Sequence, residues 1–338
     1  MTAASVVEVV RGRMVESRHR VHAAVVDAAG RLRASSGNPE LVAFFRSAAK
    51  PFQALPLVDD GAVERFGLSE QELALCCGSH SGEPEHVRAV EQILCKVGAV
   101  AEELACGPHP PFYRPARDFL AEQGLEPGRL HNNCSGKHAG MIALARVHGW
   151  DTAGYNLPEH PVQTRLLREV GRWTGCQPEE IQLGTDGCGV PSFALSVSRM
   201  ARGYAALAAA ARRGEGGAGA VVEAMIAHPS MVAGTGRLCT DLMRVAGGRL
   251  FAKLGAEGVY AVGVPGAELG VALKIEDGGR RALGPAVLGV LSQLDLISET
   301  DLGRLDTHAF PELSNTLGEP VGYLRSAVRL RKPPSSRR

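Results

Sequence analysis

The sequence predicts an α+β fold in which strands from both ends of the chain form a mostly antiparallel sheet around a helical middle. Runs of alternating or continuous apolar residues occupy about residues 1–45 and 245–285. Between them, about residues 47–230 carry the apolar spacing of amphipathic helices, separated by short loops rich in glycine, cysteine and charged residues. Strands that enclose a block of helices are typical of a sheet with helices inserted between its two halves.

The predicted strands are apolar runs bounded by turn residues. Turn signals at Ala29-Gly30 and at residues 37–39 divide the N-terminal region, and glycines divide the C-terminal one. A helix rich in leucine and valine follows the last strand. The strands are predicted over residues 6–12, 18–30, 31–37, 250–255, 258–264 and 270–279, and the closing helix over residues 280–294.

The helical middle contains two amphipathic patterns, at residues 83–98 and 160–175, and a run of strong helix formers at residues 205–213. The apolar run at residues 73–77 is interpreted instead as a strand that enters a turn rich in glycine, serine and histidine. Pro84, just after that turn, is suited to the first turn of the next helix.

The charge balance excludes two classes of partner. The chain of 338 residues has 37 basic and 36 acidic side chains, so no strongly charged surface for nucleic acid or membranes is expected. One stretch, residues 331–338, is predominantly basic and has no apolar periodicity. It is expected to form a disordered tail. Residues 1–330 are expected to form a single unit, which is long enough to bury a substantial core.

A cytoplasmic location is expected from three features of the sequence. The first twenty residues do not have the long apolar stretch and cleavage site of a signal peptide, and no run of eighteen apolar residues occurs. The eight cysteines are irregularly spaced, which in a reducing compartment favours thiols over disulfides. Most of them have apolar sequence neighbours and are expected in the core, namely Cys76, Cys77, Cys95, Cys176 and Cys239.

Ser47 and Lys50 have the spacing of a nucleophile and its base. If a helix starts at Ser47, Lys50 lies one turn later on the same face, within reach of the hydroxyl. A serine needs such a base because its protonated hydroxyl is a poor nucleophile. The alternative is a capping serine beside a solvated lysine. Pro51 disfavours helical geometry at Lys50, so the helix is expected to start late or to be distorted.

Three further segments carry reactive side chains in glycine-rich loops. Ser79 lies in the turn before Pro84, where a surface helix cap is the alternative interpretation. Cys134 and Cys188 each lie in a tight polar loop, and two thiolates together with Asp186, Lys137 or His138 would suit tetrahedral zinc. Two glycine turns with incidental thiols remain the alternative.

Lys253 lies in the middle of an apolar strand. Such a lysine is either an edge residue that reaches solvent or a buried functional amine. Glycines on its C-terminal side favour close approach of the backbone to another group.

Taken together and in this order, these segments resemble the asparaginase family typified by the inducible, thermolabile rhizobial enzyme. The resemblance extends from the N-terminal strands to residues 274–282, without departure at the motif positions. It implies a fold similar to serine β-lactamases, penicillin-binding proteins and serine-dependent glutaminases. The matching segments are residues 46–53, 79–83, 133–138, 186–189, 231–237 and 253–258.

The resemblance implies roles for individual residues in a single catalytic unit. Ser47 with Lys50, and Ser79 with Lys253, would form two serine–lysine tandems that face one pocket. One zinc ion would have a supporting role, with Asp186 beside it. The resemblance also implies that the protein is a homodimer. The implied zinc ligands are Cys134, Lys137 and Cys188.

The hypothesis that follows is hydrolysis of L-asparagine to L-aspartate and ammonia through an acyl-enzyme. Ser47 would attack the side-chain amide, Lys50 would take its proton, and Ser79 with Lys253 would relay it to ammonia. The substrate also needs counter-charges: Arg46 or Arg237 for its α-carboxylate, and Asp186 or Glu83 for its ammonium group. His138 is a further candidate substrate-binding residue. Two alternatives stay open: a metal-activated water, and a non-catalytic amino-acid-binding protein of the same fold.

Overall fold

An eight-stranded antiparallel sheet forms one layer of the protein in a computed structural model that describes residues 5–333. Seven strands follow the order β10-β11-β1-β2-β9-β8-β7, and β3 pairs with β2 beside them. The strands of this sheet are β1 (Val6–Arg11), β2 (Met14–Asp27), β3 (Leu32–Ser36), β7 (Phe251–Gly255), β8 (Val259–Val264), β9 (Leu269–Ile275), β10 (Glu312–Ser314) and β11 (Pro320–Ala327).

The sheet joins the two ends of the chain, as the sequence predicts. Strand β1 pairs with β2 on one side and with β11 on the other, and β2 pairs with β9. A salt bridge between Glu8 and Arg325 crosses the β1–β11 pair at 2.8 Å. The predicted α+β class and the sheet built from both termini are therefore confirmed. Strands β10 and β11 lie beyond the predicted sheet segments and were not expected.

A second, three-stranded antiparallel sheet lies within the part of the chain predicted to be helical. Its order is β4-β6-β5, with β4 at Val42–Phe44, β5 at Gln182–Thr185 and β6 at Pro191–Ser196. Strand β4 leads directly into the segment that contains Ser47, and Phe45 N–H donates to Phe193 O at 2.8 Å. This small sheet anchors the start of the reactive segment.

The helices of the described chain include every predicted one. The patterns at residues 83–98, 160–175 and 280–294 correspond to α4, α7 and α12. The helices are α1 (Lys50–Asp59), α2 (Ala62–Phe66), α3 (Glu70–Cys76), α4 (Pro84–Val97), α5 (Arg114–Glu122), α6 (Ser135–His148), α7 (Pro161–Thr174), α8 (Val197–Arg212), α9 (Gly216–Ala227), α10 (Pro229–Val232), α11 (Leu238–Ala246), α12 (Leu283–Gln293), α13 (Glu299–Arg304) and α14 (Asp306–Ala309).

The predicted strand at residues 73–77 is wrong, because this segment is the C-terminal part of helix α3. A capping box starts the helix: Ser69 Oγ accepts from Glu72 N–H at 3.3 Å, and Glu72 Oε2 accepts from Ser69 N–H at 2.6 Å. These two bonds satisfy donors that a helix start otherwise leaves free. A short apolar run does not distinguish a strand from one buried face of a helix.

Helix α8 packs against the main sheet at close range. A Cβ atom added to Gly270 on β9 would lie 1.9 Å from Ala201 O, so this position requires glycine. In the same helix, the ring of Tyr204 stacks on that of Phe251, with 5.4 Å between the ring centroids. The hydroxyl of Tyr204 donates to Ala48 O at 2.9 Å. Tyr204 therefore connects the segment around Ser47 to the hydrophobic core.

The cysteine and tail predictions are corrected in part. Cys95 is exposed because it lies outside the buried face of α4, and Cys176 is half-buried against the core, whereas Cys76, Cys77 and Cys239 are buried. Arg331 is not disordered, since its backbone forms two hydrogen bonds with that of Ser35, with N–O distances of 2.8 and 2.9 Å. The rest of the predicted tail, residues 334–338, lies outside the described residues. Between residues 5 and 333, no helix has the length and apolar character to cross a membrane.

Candidate active site

The reactive segment begins with a strained turn and changes helix type at Lys50. Arg46–Ala49 form a 3₁₀ helix, and the α-helix starts only at Lys50, with Pro51 in its first turn. The predicted late or distorted start is thus observed. Arg46 has φ 52°, a left-handed conformation that costs a non-glycine residue free energy. This geometry leaves Ser47 at the wall of a cavity and directs Lys50 into the interior.

Lys50 makes three hydrogen bonds in a site where its side chain is 1% exposed. Its Nζ atom donates to Gly78 O at 2.6 Å, to Ser79 Oγ at 2.9 Å and to Cys134 Sγ at 3.2 Å. These bonds use all three donors of an ammonium group. Ser47 is not one of these three partners, so the hydroxyl that Lys50 contacts directly is that of Ser79.

Ser79 is held between two lysines at the end of helix α3. Its N–H donates to Val232 O at 2.8 Å. The preceding Gly78 allows close approach of that backbone, because a Cβ there would lie 2.5 Å from Met231 O. On the opposite side, Lys253 Nζ lies 2.9 Å from Ser79 Oγ and 2.9 Å from Leu254 O.

Lys253 lies on the edge strand β7 yet is completely buried, so it is not the solvent-reaching lysine of the alternative interpretation. Burial, followed by the positive charge of Lys50, lowers the pKa of Lys253 to about 7. A lysine with this pKa is substantially neutral at neutral pH and is able to accept a proton. Lys50, Ser79 and Lys253 thus form a continuous hydrogen-bonded chain of two amines and one hydroxyl.

A cavity of about 270 Å³ adjoins this chain. Ser47 and Ser79 both line it, so the structure brings the two predicted serines to one space. Of the predicted substrate-binding residues, Arg237 lines it as well. Side chains of both charge signs and an aromatic ring complete the wall, including Phe112, Asn133, Glu257 and Arg280.

Two thiols and an amine meet beside Lys50. Lys137 Nζ donates to Cys188 Sγ at 2.9 Å, and Cys134 Sγ lies 2.9 Å from Asn133 Oδ1. The hydrogen bond with Cys188 and the charges of Lys50 and Lys137 outweigh burial and lower the pKa of the Cys134 thiol, whereas the same hydrogen bond and burial raise the pKa of Cys188. The thiol of Cys134 is therefore the more acidic of the pair, and it lies beside the amine of Lys50.

The sulfurs of Cys134 and Cys188 are zinc-type donors. Lys137 would bind a metal only as the neutral amine, because an ammonium group has no free lone pair. Three such protein ligands would leave a fourth position for water or substrate. All three side chains are buried. No group of three or more histidine, cysteine or acidic side chains suited to a metal occurs within residues 5–333, so a zinc ion here would need the amine of Lys137 as its third protein ligand.

The family of the chain follows from a comparison with known proteins. The profile of L-asparaginase II matches residues 7–326, nearly the whole sequence. The chain belongs to the L-asparaginase II family. This is an amidohydrolase family, and the chain is accordingly an L-asparaginase. No curated protein sequence matches the asparaginase significantly.

Solved structures similar to the asparaginase share little sequence with it. One is a protein named Mglu in its native form, at 18% identity and TM-score 0.35, covering 84% of this chain and 67% of that chain. A β-lactamase from Mycobacterium bovis has 14% identity and TM-score 0.36, covering 82% and 95%. An octameric penicillin-binding protein homologue from Pyrococcus abyssi has 13% identity and TM-score 0.39, covering 91% and 84%. With TM-scores this low, the architecture rests on the strand pairing described above.

The other predicted substrate-binding residues of the asparaginase have protein partners. Arg46 donates to Asp186 Oδ1 at 3.0 and 3.2 Å, beside the thiol cluster. Glu83 accepts from Thr235 N–H at 2.7 Å and from Thr235 Oγ1 at 2.8 Å.

His138 is completely buried, with Nδ1 2.7 Å from Tyr155 Oη. Burial and the neighbouring lysines lower its pKa, so this histidine is neutral. Its Nε2 atom is buried without a hydrogen-bond partner among the described residues.

Three polar residues of the cavity were not singled out from the sequence: Asn133, Glu257 and Arg280. Asn133 and Glu257 lie inside segments that carry the family resemblance, adjacent to Cys134 and four residues after Lys253. Glu257 has φ 57° in the tight turn between β7 and β8 and lines the cavity of the serines. Arg280 follows the turn after β9, where a loop arginine gives no sequence signal of its own.

Proposed function

We propose that this asparaginase hydrolyses L-asparagine to L-aspartate and ammonia through an acyl-enzyme formed on a serine of the cavity. The observation that supports this most is the position of Ser79 Oγ between two buried amines, each at 2.9 Å. One amine makes three donor contacts, while the other has a pKa of about 7. Such a pair is able to take up and return a proton within one catalytic cycle.

In the proposed mechanism Ser47 attacks the side-chain amide carbon of L-asparagine. Lys50 first passes a proton through the hydroxyl of Ser79 to Lys253, which leaves Lys50 neutral. Lys50 then takes the proton of Ser47 as the new C–O bond forms. The proton held by Lys253 returns through Ser79 to the leaving nitrogen, the C–N bond breaks and ammonia departs.

Water hydrolyses the acyl-enzyme by the same relay in reverse order. A neutral lysine accepts a proton from water, hydroxide attacks the ester carbonyl, and the proton passes to the oxygen of the departing serine. The negative oxygen of each tetrahedral intermediate needs donors, for which we propose backbone N–H groups at the start of the Ser47 segment.

A second candidate nucleophile is Ser79 itself. It is favoured by one observation: Ser79, not Ser47, receives the direct hydrogen bond of Lys50. In this variant neutral Lys253 removes the proton of Ser79, and Ser47 lies across the cavity as a donor to the substrate.

We also propose one zinc ion, held by Cys134, Lys137 and Cys188. When bound, zinc would supply a positive charge that orders the site, because thiolate ligands donate charge to the metal and weaken it as a Lewis acid. This cluster is connected to two residues of the reactive segment. Cys134 accepts a hydrogen bond from Lys50, and Asp186, which is close to Lys137, pairs with Arg46. Asp186 has its pKa lowered by Lys137 and Arg46, which outweigh burial, so it is ionised in this position.

The activity is tested by measuring ammonia release from L-asparagine and from L-glutamine with the purified protein. Release from L-asparagine is expected. Ser47→Ala and Ser79→Ala separate the serine route from a metal-activated water, since activity that survives both changes would require the latter. Absence of release in a folded, zinc-loaded protein would favour a non-catalytic amino-acid-binding role.

The assembly and location of the protein are also proposed here. We propose a homodimer, as the family resemblance implies, and light scattering of the purified protein tests it. A cytoplasmic location is consistent with the eight unpaired thiols of the described chain.

A further inference from the structure

Two arginines line both the cavity that contains Ser47 and Ser79 and a larger cavity next to it. The larger cavity has a volume of about 460 Å³ and shares four wall residues with the smaller one, two of them arginines. The shared residues are Arg237, Leu254, Arg280 and Leu283. The wall of the larger cavity adds Arg281 and His308 but no carboxylate.

Arg237 and Arg280 have no carboxylate of the described chain at salt-bridge distance, although Glu257 also lines the cavity of the serines. Within residues 5–333 neither forms a salt bridge, whereas Arg46 is paired with Asp186 at 3.0 Å. Arg237 donates to the neutral Ser81 Oγ at 3.1 Å and lies over the ring of Phe112 at 5.5 Å. Burial, together with the charge of Arg280, lowers the pKa of Arg237, as expected for two guanidinium groups that repel each other.

An anion placed between the two guanidinium groups would relieve this repulsion. Free L-asparagine carries such an anion, its α-carboxylate, separated only by Cα and Cβ from the amide carbon that the serines attack. Guanidinium groups bind carboxylates through paired hydrogen bonds of defined geometry.

We infer that Arg280, together with Arg237, binds the α-carboxylate of the substrate and is a specificity-determining residue. This inference rests on the proposed function. Arg280 does not touch the reacting amide; its role is to select side-chain amides that also carry a free carboxylate. Asparagine within a peptide, or an asparagine whose carboxylate has become an amide, lacks this contact and is rejected.

The test compares L-asparagine with L-asparaginamide in the parent protein and in Arg280→Met. We expect KM for L-asparagine to rise about 10- to 100-fold, the loss expected for one charge-assisted hydrogen-bonding partner, with kcat nearly unchanged. KM for L-asparaginamide should not change. Arg280→Lys, which keeps the charge, should recover part of the affinity for L-asparagine.

Arg281→Met is the matched control. Arg281 is the next residue and lines the larger cavity, but its Nε donates to His19 Nε2 at 2.9 Å and it does not line the cavity of the serines. It should leave the ratio of the two KM values unchanged.

Equal KM values for L-asparagine in the parent and a folded Arg280→Met protein would overturn the inference, as would an equal loss with both substrates. A thermal melt of each variant establishes that it is folded. If the parent itself releases no ammonia, the proposed function has failed; if the parent is active and Arg280→Met behaves like it, only this inference has failed.

Discussion

Lys253 Nζ lies 2.9 Å from Ser79 Oγ in a position with no exposure to solvent. Burial of an amine disfavours its charged form, and the nearby Lys50 adds to the effect, which brings the pKa of Lys253 to about 7. The contact therefore joins a hydroxyl to an amine that changes charge near neutral pH.

The first prediction is a rise of kcat/KM through about pH 7. The relay requires neutral Lys253, and an amine is neutral above its pKa, so activity is low on the acid side and increases as Lys253 loses its proton. The measurement is kcat/KM for L-asparagine from about pH 5.5 to 9, which brackets the expected value. Lys253→Met should lose most activity and the limb near pH 7, whereas the exposed Lys332→Met should retain both. An acidic optimum in the parent protein would exclude a lysine base.

The second prediction separates the two serines of the cavity. Ser47→Ala and Ser79→Ala should each lower kcat by at least about a thousandfold, because members of a catalytic unit are not replaceable one by one. Intact-mass analysis of rapidly quenched reactions should detect an aspartyl adduct only where the nucleophile is present. An adduct in Ser79→Ala but not in Ser47→Ala supports attack by Ser47, and the reverse supports Ser79. The exposed Ser292→Ala should behave as the parent protein.

The third prediction is one zinc ion per chain. Elemental analysis of the purified protein should give a ratio near one, and Cys134→Ala or Cys188→Ala should remove the metal. Cys106→Ala is the control, because Cys106 is also buried near this cluster but burial raises the pKa of its thiol to about 12, which keeps it protonated. Zinc retained in either cluster variant would show that the metal lies elsewhere.

The fourth prediction concerns the contact of helix α8 with the sheet. Gly270→Ala should lower the free energy of unfolding by at least about 2 kcal/mol, since the new methyl group would force two backbone segments apart. Denaturant titration measures this change. Gly266→Ala, in the preceding turn, has open space around the added Cβ and should be nearly neutral. Equal stability of the two variants would mean that the helix moves away from the sheet without cost.

Long, strongly patterned elements were predictable from the sequence, and short ones were not. The hairpin of β1 and β2, the strands β7 to β9 and the helices α4 and α7 have clear periodicity and capping or turn residues. Strands β4, β5 and β10 have only three or four residues each, too few for periodicity to be detected. Strand β11 was missed because its alternating pattern is broken by glycine and charge.

The site was predictable as a set of residues but not as a network of contacts. One-turn spacing pairs Lys50 with Ser47, and only the packing of α3 under the cavity places Ser79 against Lys50 instead. No spacing rule applies to Lys253, which reaches Ser79 from a strand 174 residues away. Arg280 was not predictable for a related reason. Its position between two cavities depends on how the turn after β9 folds back over the site.

The closure of the main sheet has a consequence for the newborn chain on the ribosome. Glu8 and Arg325 meet across β1 and β11 although 317 positions separate them, so β1 keeps one unpaired edge until almost the entire protein has been synthesised. An open strand edge is a template for pairing with other chains, and contacts so distant in sequence form slowly. Slow translation or crowded expression should therefore favour aggregates nucleated at β1, and lower temperature or a chaperone that shields this strand should raise the yield of active enzyme.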